Sequence, residues 1–184
     1  QSYFDQPGNS ASSLVSRYGG TLKLLPDGHY TYSIDNTDKV VQALGANEQL
    51  TDTVTVRSLD GTAHVISIVI QGSNDLPVIA GASSGTVIEQ GSLVAGVAES
   101  TGILTAIDTD TGDSLQWAAT NGHGQYGELT IDQHGHWHYQ LDNFNANTEA
   151  LAGGQKVSEA FTVTATDSSG TAVTQIVTIA VIGS

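Results

Sequence analysis

The sequence predicts an all-β protein, a β-sandwich fold laid down twice in tandem. Three observations carry this. Hydrophobicity alternates with a period of two, as in Thr53-Val54-Thr55-Val56 and Phe161-Thr162-Val163-Thr164, which places apolar side chains on one face of a strand. Glycine, asparagine, aspartate and serine clusters separate short runs of this kind, the pattern of sandwiches. A stretch near the start of the chain also returns later with its spacing kept, the mark of an internal repeat.

The elements follow in order. A turn at Pro26-Asp27-Gly28 precedes the alternating run through Tyr30 and Tyr32. Thr37 to Leu44 is the first of two segments with room for a helical turn; Ala146 to Leu151 is the second. Both are too short to hold as isolated helices. Strands are expected at Thr53–Val56 and His64–Ile70, joined by Asp60-Gly61. Further strands are expected at Thr86–Glu89, Gly102–Asp108, Gly135–Leu141, Phe161–Thr164 and Ala172–Ile182, with Ser168-Ser169-Gly170 as a turn. The long runs are rich in β-branched residues, which favour strands.

The repeat sets the domain boundary. Asp27 to Asn36 matches Gln133 to Asn143, with Trp137 lying 107 positions after Tyr30. The offset persists through Ala43-Leu44 against Ala150-Leu151, Leu50 against Val157, and Asp60 against Asp167. Two units result, residues 1–75 and 76–184. The first lacks the opening stretch that carries two strands in the second, so it is expected to be an N-terminally truncated sandwich. The chain starts at Gln1 without initiator methionine or signal peptide and is expected to be a segment of a longer polypeptide.

Composition narrows the partners. Nineteen acidic and five basic residues give a net charge of −14 in 184 residues. So few basic groups argue against nucleic acid, whose binding rests on neutralised phosphates, and against an anionic membrane surface. No apolar run reaches the roughly 20 residues of a spanning helix, so membrane insertion is not expected. There is no cysteine, which removes disulfides, thiolate catalysis and thiolate metal sites. Residues 76–184 carry eleven acidic groups and one basic group, and repulsion of that size disfavours a compact state unless something neutralises it.

Aspartates mark the place for a cation. Gly102 to Ile107 runs into Asp108-Thr109-Asp110, and residues two apart on a strand share a face. Calcium takes 6–8 oxygen ligands. Asn74 and Asp75 in the linker and Asp167 in a loop add candidate oxygens. The second unit resembles a cadherin-type repeat, with Gly102-Ile103-Leu104-Thr105-Ala106-Ile107-Asp108-Thr109-Asp110, Ala165-Thr166-Asp167 followed by Gly170, and Asn74-Asp75-Leu76-Pro77 ahead of it. Both copies are similar to the bacterial VCBS repeats of very large secreted RTX-type adhesins. That similarity rests on residues 27–36, Gln42-Ala43-Leu44, Leu50 to Val56, and Gly72 to Pro77.

The resemblance implies tandem immunoglobulin/cadherin-like β-sandwich domains whose junctions are stiffened by calcium. It implies Asn74 and Asp75 as linker ligands, Asp108 and Asp110 as paired ligands, and Asp167 closing the site from a far loop. Glu89 would serve a following linker. The first unit has no clear Leu-Asp-Arg-Glu motif, so one or two ions are expected rather than three. The implied role is a structural, non-enzymatic module of a secreted or cell-surface bacterial protein for adhesion or biofilm formation. Its partners would be neighbouring repeats of the same chain, with host or biofilm surface ligands bound by other domains.

Other patterns compete. A carbohydrate- or protein-binding module would use Trp117, Tyr126, Trp137 and Tyr139 as a platform, although their alternation points to core. His134, His136 and His138 alternate, and a solvent face explains them better than a transition-metal site. Gly81-Ala82-Ser83-Ser84-Gly85 has the nucleophile-elbow spacing, but a strand rather than a helix follows. Gly122-His123-Gly124-Gln125-Tyr126-Gly127 has dinucleotide-loop spacing between two strands, again with no helix to receive phosphate.

Overall fold

The computed structural model describes residues 12–25, 27–58 and 60–184. The chain divides into two compact units, Gln1–Asp75 with Thr109–Thr111, and Leu76–Asp108 with Gly112–Ser184. Strands dominate both. No helix among the described residues is long and apolar enough to cross a membrane.

In the first unit, β1 (Ser12–Val15), β2 (Thr21–Leu24) and β3 (Tyr30–Ser33) form an antiparallel sheet in the order β1-β2-β3. A single helical turn, α1 (Lys39–Gln42), follows; Asp38 caps it by accepting from the backbone amides of Val40 and Val41. A cap of this kind satisfies donors that a first turn cannot. The hairpin of β4 (Gln49–Arg57) and β5 (Ala63–Gln71) forms the second layer. Alternation along β4 buries Asp52, Val54 and Val56 and exposes the residues between. Leu22, Val54 and Val56 make the core, with Leu14, Leu24, Tyr32 and Ile66 packed against them.

The second unit is a full sandwich. One sheet contains β6 (Val78–Gly81), β8 (Glu99–Ile107), β10 (Gly127–Ile131) and β11 (His136–Leu141), in the antiparallel order β10-β11-β8-β6. The other contains β7 (Ser84–Ile88), β9 (Gln116–Ala119), β12 (Lys156–Thr166) and β13 (Ala172–Ile182), in the order β7-β13-β12-β9. The β7–β13 pair is parallel and the rest antiparallel. The chain therefore changes sheets between β6 and β7. Gly81 turns there at φ +117°, where an added Cβ would lie 2.4 Å from the Ile103 carbonyl oxygen; only glycine accepts both conditions. This crossover is the Gly81–Gly85 segment: Gly81 makes the strand switch, and Gly85, inside β7, leaves room for Ser100 and the Trp137 ring.

Between β11 and β12 lies α2 (Ala146–Glu149), capped by Asn145 as Asp38 caps α1, 107 positions earlier. The core joins both sheets: Val87, Leu104, Leu129, Trp137, Tyr139, Phe161, Val163, Val177, Ile179 and Val181 are buried. Trp137 donates its indole N–H to the Ala82 carbonyl at 2.7 Å, tying the core to the sheet switch. Trp137 and Tyr139 thus belong to the interior, and Trp117 and Tyr126 pack against it.

One correspondence is corrected. The offset of 107 pairs Asp60 with Asp167, but the two stand at different places in their turns. In the first unit the turn closes with Ser58 N–H on Thr62 O (3.0 Å) and Gly61 N–H on Ser58 O (2.9 Å). In the second it closes with Asp167 N–H on Thr171 O (2.9 Å) and Gly170 N–H on Asp167 O (3.2 Å). Asp167 is the counterpart of Ser58. The reason is strand length: β12 and β13 have 11 residues each, and β4 and β5 have 9. The longer hairpin carries Asp167 to the end of the sandwich.

Candidate metal centre

Strand β8 ends at Ile107, opposite Val78, the first residue of β6. Asp108 therefore lies at the end of the second unit where the chain enters it. The strand alternation ends there: Asp108 and Asp110 follow the strand, and its two-residue period no longer orders them. The chain then turns through Gly112, at φ +80°, and Asp113 comes back toward Asp108. The long β12–β13 hairpin brings Asp167 to the same end. Carboxylate oxygens of Asp108, Asp113 and Asp167 all lie within 4.8 Å of one another.

The three are held by their loops. Asp167 is buried, and Asp108 and Asp113 are half-buried. Asp167 accepts from the Thr171 amide at 2.7 Å and from the Ser169 hydroxyl at 2.7 Å. The Ser168 hydroxyl donates to Asp113. Three negative charges at this separation repel by about 3 kcal/mol per pair at an effective dielectric near 20. A cation in the middle reverses that sign. The donors are hard carboxylate oxygens without sulfur or imidazole, which suits calcium or magnesium rather than a soft transition metal. Three carboxylates supply three to six oxygens, and backbone carbonyls or water complete a calcium shell. The residues fit the ion.

The five residues singled out from sequence fall in two places. Asp108 and Asp167 are in the cluster. Asp110 groups with the first compact unit, where its Oδ2 accepts from the Asp75 amide at 2.9 Å, and the Thr111 amide donates to Ala43 O at 3.0 Å. Asn74 donates through its side-chain amide to the Asp75 carbonyl. Asp113 was not among the five. Its signal was present in the Gly112-Asp113 pair: a turn glycine there reverses the chain and returns the next residue to the strand end. Glu89 is buried near the opposite end of β13, ~30 Å away by strand rise; it accepts from the Ser184 amide at 3.1 Å.

The competing motifs have other uses. His136 pairs with Asp132 at 3.0 Å and His138 faces Glu99 at 3.6 Å, both on the outer face of β11. In the 122–127 loop, Gln125 and Tyr126 donate their amides to Glu159 at 2.6 and 3.1 Å. Those donors serve a carboxylate of the same chain.

Residues 74–183 match the bacterial cadherin-like domain. No functionally curated protein matches the chain in sequence. Among solved structures, protocadherin gamma B2 extracellular cadherin domains 3–6 align with a TM-score of 0.51 at 13% identity, covering 87% of this chain and 36% of that one. The cis-dimer structure of protocadherin gammaB7 EC3–6 aligns at 0.50 and 14% identity, covering 94% of this chain and 40% of that one. The chain thus spans less than half the length of these structures. At such identities the likeness is one of fold.

Proposed function

Since the chain belongs to the bacterial cadherin-like domain family, we propose that it is a structural repeat module whose domain junctions are stiffened by calcium. The observation that carries the reading is the convergence of Asp108, Asp113 and Asp167 within 4.8 Å, at the end of the second unit that receives the linker. Asn74, Asp75 and Asp110 are proposed as further calcium ligands. Calcium would supply charge neutralisation and a shell of oxygen ligands. The chain's own residues do the rest: the hairpin turn places Asp167, and the Gly112 turn places Asp113.

The mechanism is mechanical. Without the ion, mutual repulsion favours an open, mobile linker. With it, binding energy is gained only in the ordered arrangement, so ordering and binding are coupled. A tandem array of such units would be a rod in which each unit contacts mainly its neighbours. The parent protein is proposed to be a large secreted or surface-bound bacterial adhesin of the VCBS/RTX type. Its partners would be adjoining repeats, with surface ligands for adhesion or biofilm formation bound by other domains.

Small-angle scattering and thermal melting test this, each with calcium and with chelator. A longer, stiffer particle and a higher melting temperature in calcium are expected. Identical curves in both conditions overturn the proposal.

A further inference from the structure

The turn between β10 and β11 repeats the turn between β2 and β3 in its backbone but not in its side chains. In the second unit Asp132 N–H donates to His136 O at 3.0 Å, and Gly135 N–H to Asp132 O at 3.1 Å. In the first, Leu25 N–H donates to His29 O at 2.8 Å, and Gly28 N–H to Leu25 O at 3.0 Å. At the offset of 107, Asp132 replaces Leu25, His134 replaces Asp27, and the histidine at 29 recurs at 136. Of these two turns, only the second gathers a carboxylate and two imidazoles.

Strand β11 begins at His136, so His134 belongs to the turn and not to the strand face that carries His136 and His138. The rings of His134 and His136 lie 6.2 Å apart, centre to centre. Asp132 Oδ1 accepts from the His134 and His136 amides at 2.8 and 3.0 Å. Those bonds fix the carboxylate and set its Oδ2 against His136 Nδ1, at 3.0 Å. A tetrahedral zinc ion with ligands at about 2.1 Å holds neighbouring donor atoms about 3.4 Å apart and two imidazole centres about 5 Å apart. The Asp132–His136 pair already stands near the first spacing. His134 is exposed, with its Nε2 3.3 Å from the Gln133 side-chain amide. An approach of about 1 Å, within the reach of a side-chain rotation, brings it to the second spacing.

We propose that Asp132, His134 and His136 form a transition-metal site, with zinc as the ion. Two imidazole nitrogens and one carboxylate oxygen suit zinc rather than calcium, which separates this donor set in kind from Asp108, Asp113 and Asp167. Zinc takes the place of the hydrogen between His136 Nδ1 and Asp132, and the imidazole proton moves to Nε2. The backbone donors on Asp132 Oδ1 are the outer partners that orient a ligand. Asp132 and His136 also line a surface cavity of about 580 Å³, with Thr101, Thr130 and His138. Water reaches the fourth position from there. The inference is independent of the calcium reading.

The test titrates zinc into the whole chain by calorimetry, with calcium in excess, and follows the histidine ring resonances by NMR. One site is expected, and the rings of His134 and His136 should shift while those of His29 and His64 stay. His134→Gln and His136→Gln should each weaken zinc at least about tenfold, since losing a ligand costs no less than losing an outer partner. His138→Gln should leave the affinity unchanged. Absence of zinc binding overturns the proposal, as does equal affinity in the parent chain and the His134 and His136 variants. Binding that is lost in His138→Gln but kept in His134→Gln would move the ion to the strand face. Binding lost in Asp113→Asn would move it among the three carboxylates. Either result equally overturns the proposal.

Discussion

Tyr139 donates its phenolic hydrogen to Glu159, and the same pairing occurs 107 residues earlier, where Tyr32 donates to Asp52 at 2.6 Å. Each tyrosine sits beneath a glycine that leaves it room: a Cβ at Gly20 would lie 2.0 Å from the Tyr32 hydroxyl, and one at Gly127 2.5 Å from the Tyr139 hydroxyl. The carboxylate also takes backbone donors, Gln125 and Tyr126 on Glu159, and Thr53 on Asp52. The unit that repeats is thus a packed hydrogen-bond node as well as a strand pattern.

Loss of that node should be measurable. Tyr139→Phe removes one donor and leaves Glu159 with its backbone partners. A destabilisation of about 1–2 kcal/mol is expected, read as a lower midpoint in urea at unchanged slope. Burial, and then the hydrogen bond and charge of Glu159, push the Tyr139 hydroxyl well above its ordinary value. Ultraviolet titration should therefore leave this tyrosine protonated where exposed tyrosines ionise, near pH 10.

Acid stability should depend on a turn aspartate. The Ser58 hydroxyl, then the amide and hydroxyl of Thr62, hold the Asp60 carboxyl down at about 2. An unfolded aspartate titrates near 3.9. The folded value is the lower one, so the stabilisation is complete above roughly pH 4. It disappears as pH falls through about 2. Melting curves of Asp60→Asn should show a shallower decline over that interval than the parent chain. Equal slopes would remove Asp60 as a contributor.

Calcium should protect the second unit through three carboxylates. At a hundredfold excess over Kd, a ligand that binds only the folded state adds about 2.7 kcal/mol. Asp113→Asn and Asp167→Asn should each reduce the rise in Tm produced by calcium. For either variant, melting in chelator should change less than melting in calcium, because removing one of three like charges also relieves repulsion. A calcium response unaltered in both variants would place the ion elsewhere.

The seat of Trp137 should tolerate no side chain opposite it. Gly102→Val forces atoms into the indole ring and is expected to cost about 1–3 kcal/mol or more. Thr101→Val, one residue away on the exposed face, should stay within about 0.5 kcal/mol. Chemical denaturation of the two variants side by side checks the contrast.

The sequence alone determined the strands, the tandem repeat and the interior aromatics. Alternation is a property of the local chain: successive side chains on a strand must point to opposite faces, so Trp137, Tyr139 and Leu141 declared one buried face and His136 and His138 the other. Repeated spacing likewise survives in any one-dimensional reading. The tertiary structure decided what depends on residues far apart in the chain. It sent β6 and β7 to different sheets through Gly81, lengthened the second hairpin so that Asp167 took the place of Ser58, and gathered Asp113 with Asp108 and Asp167. No local period encodes such encounters. They follow from which strand ends meet when two sheets close over one core.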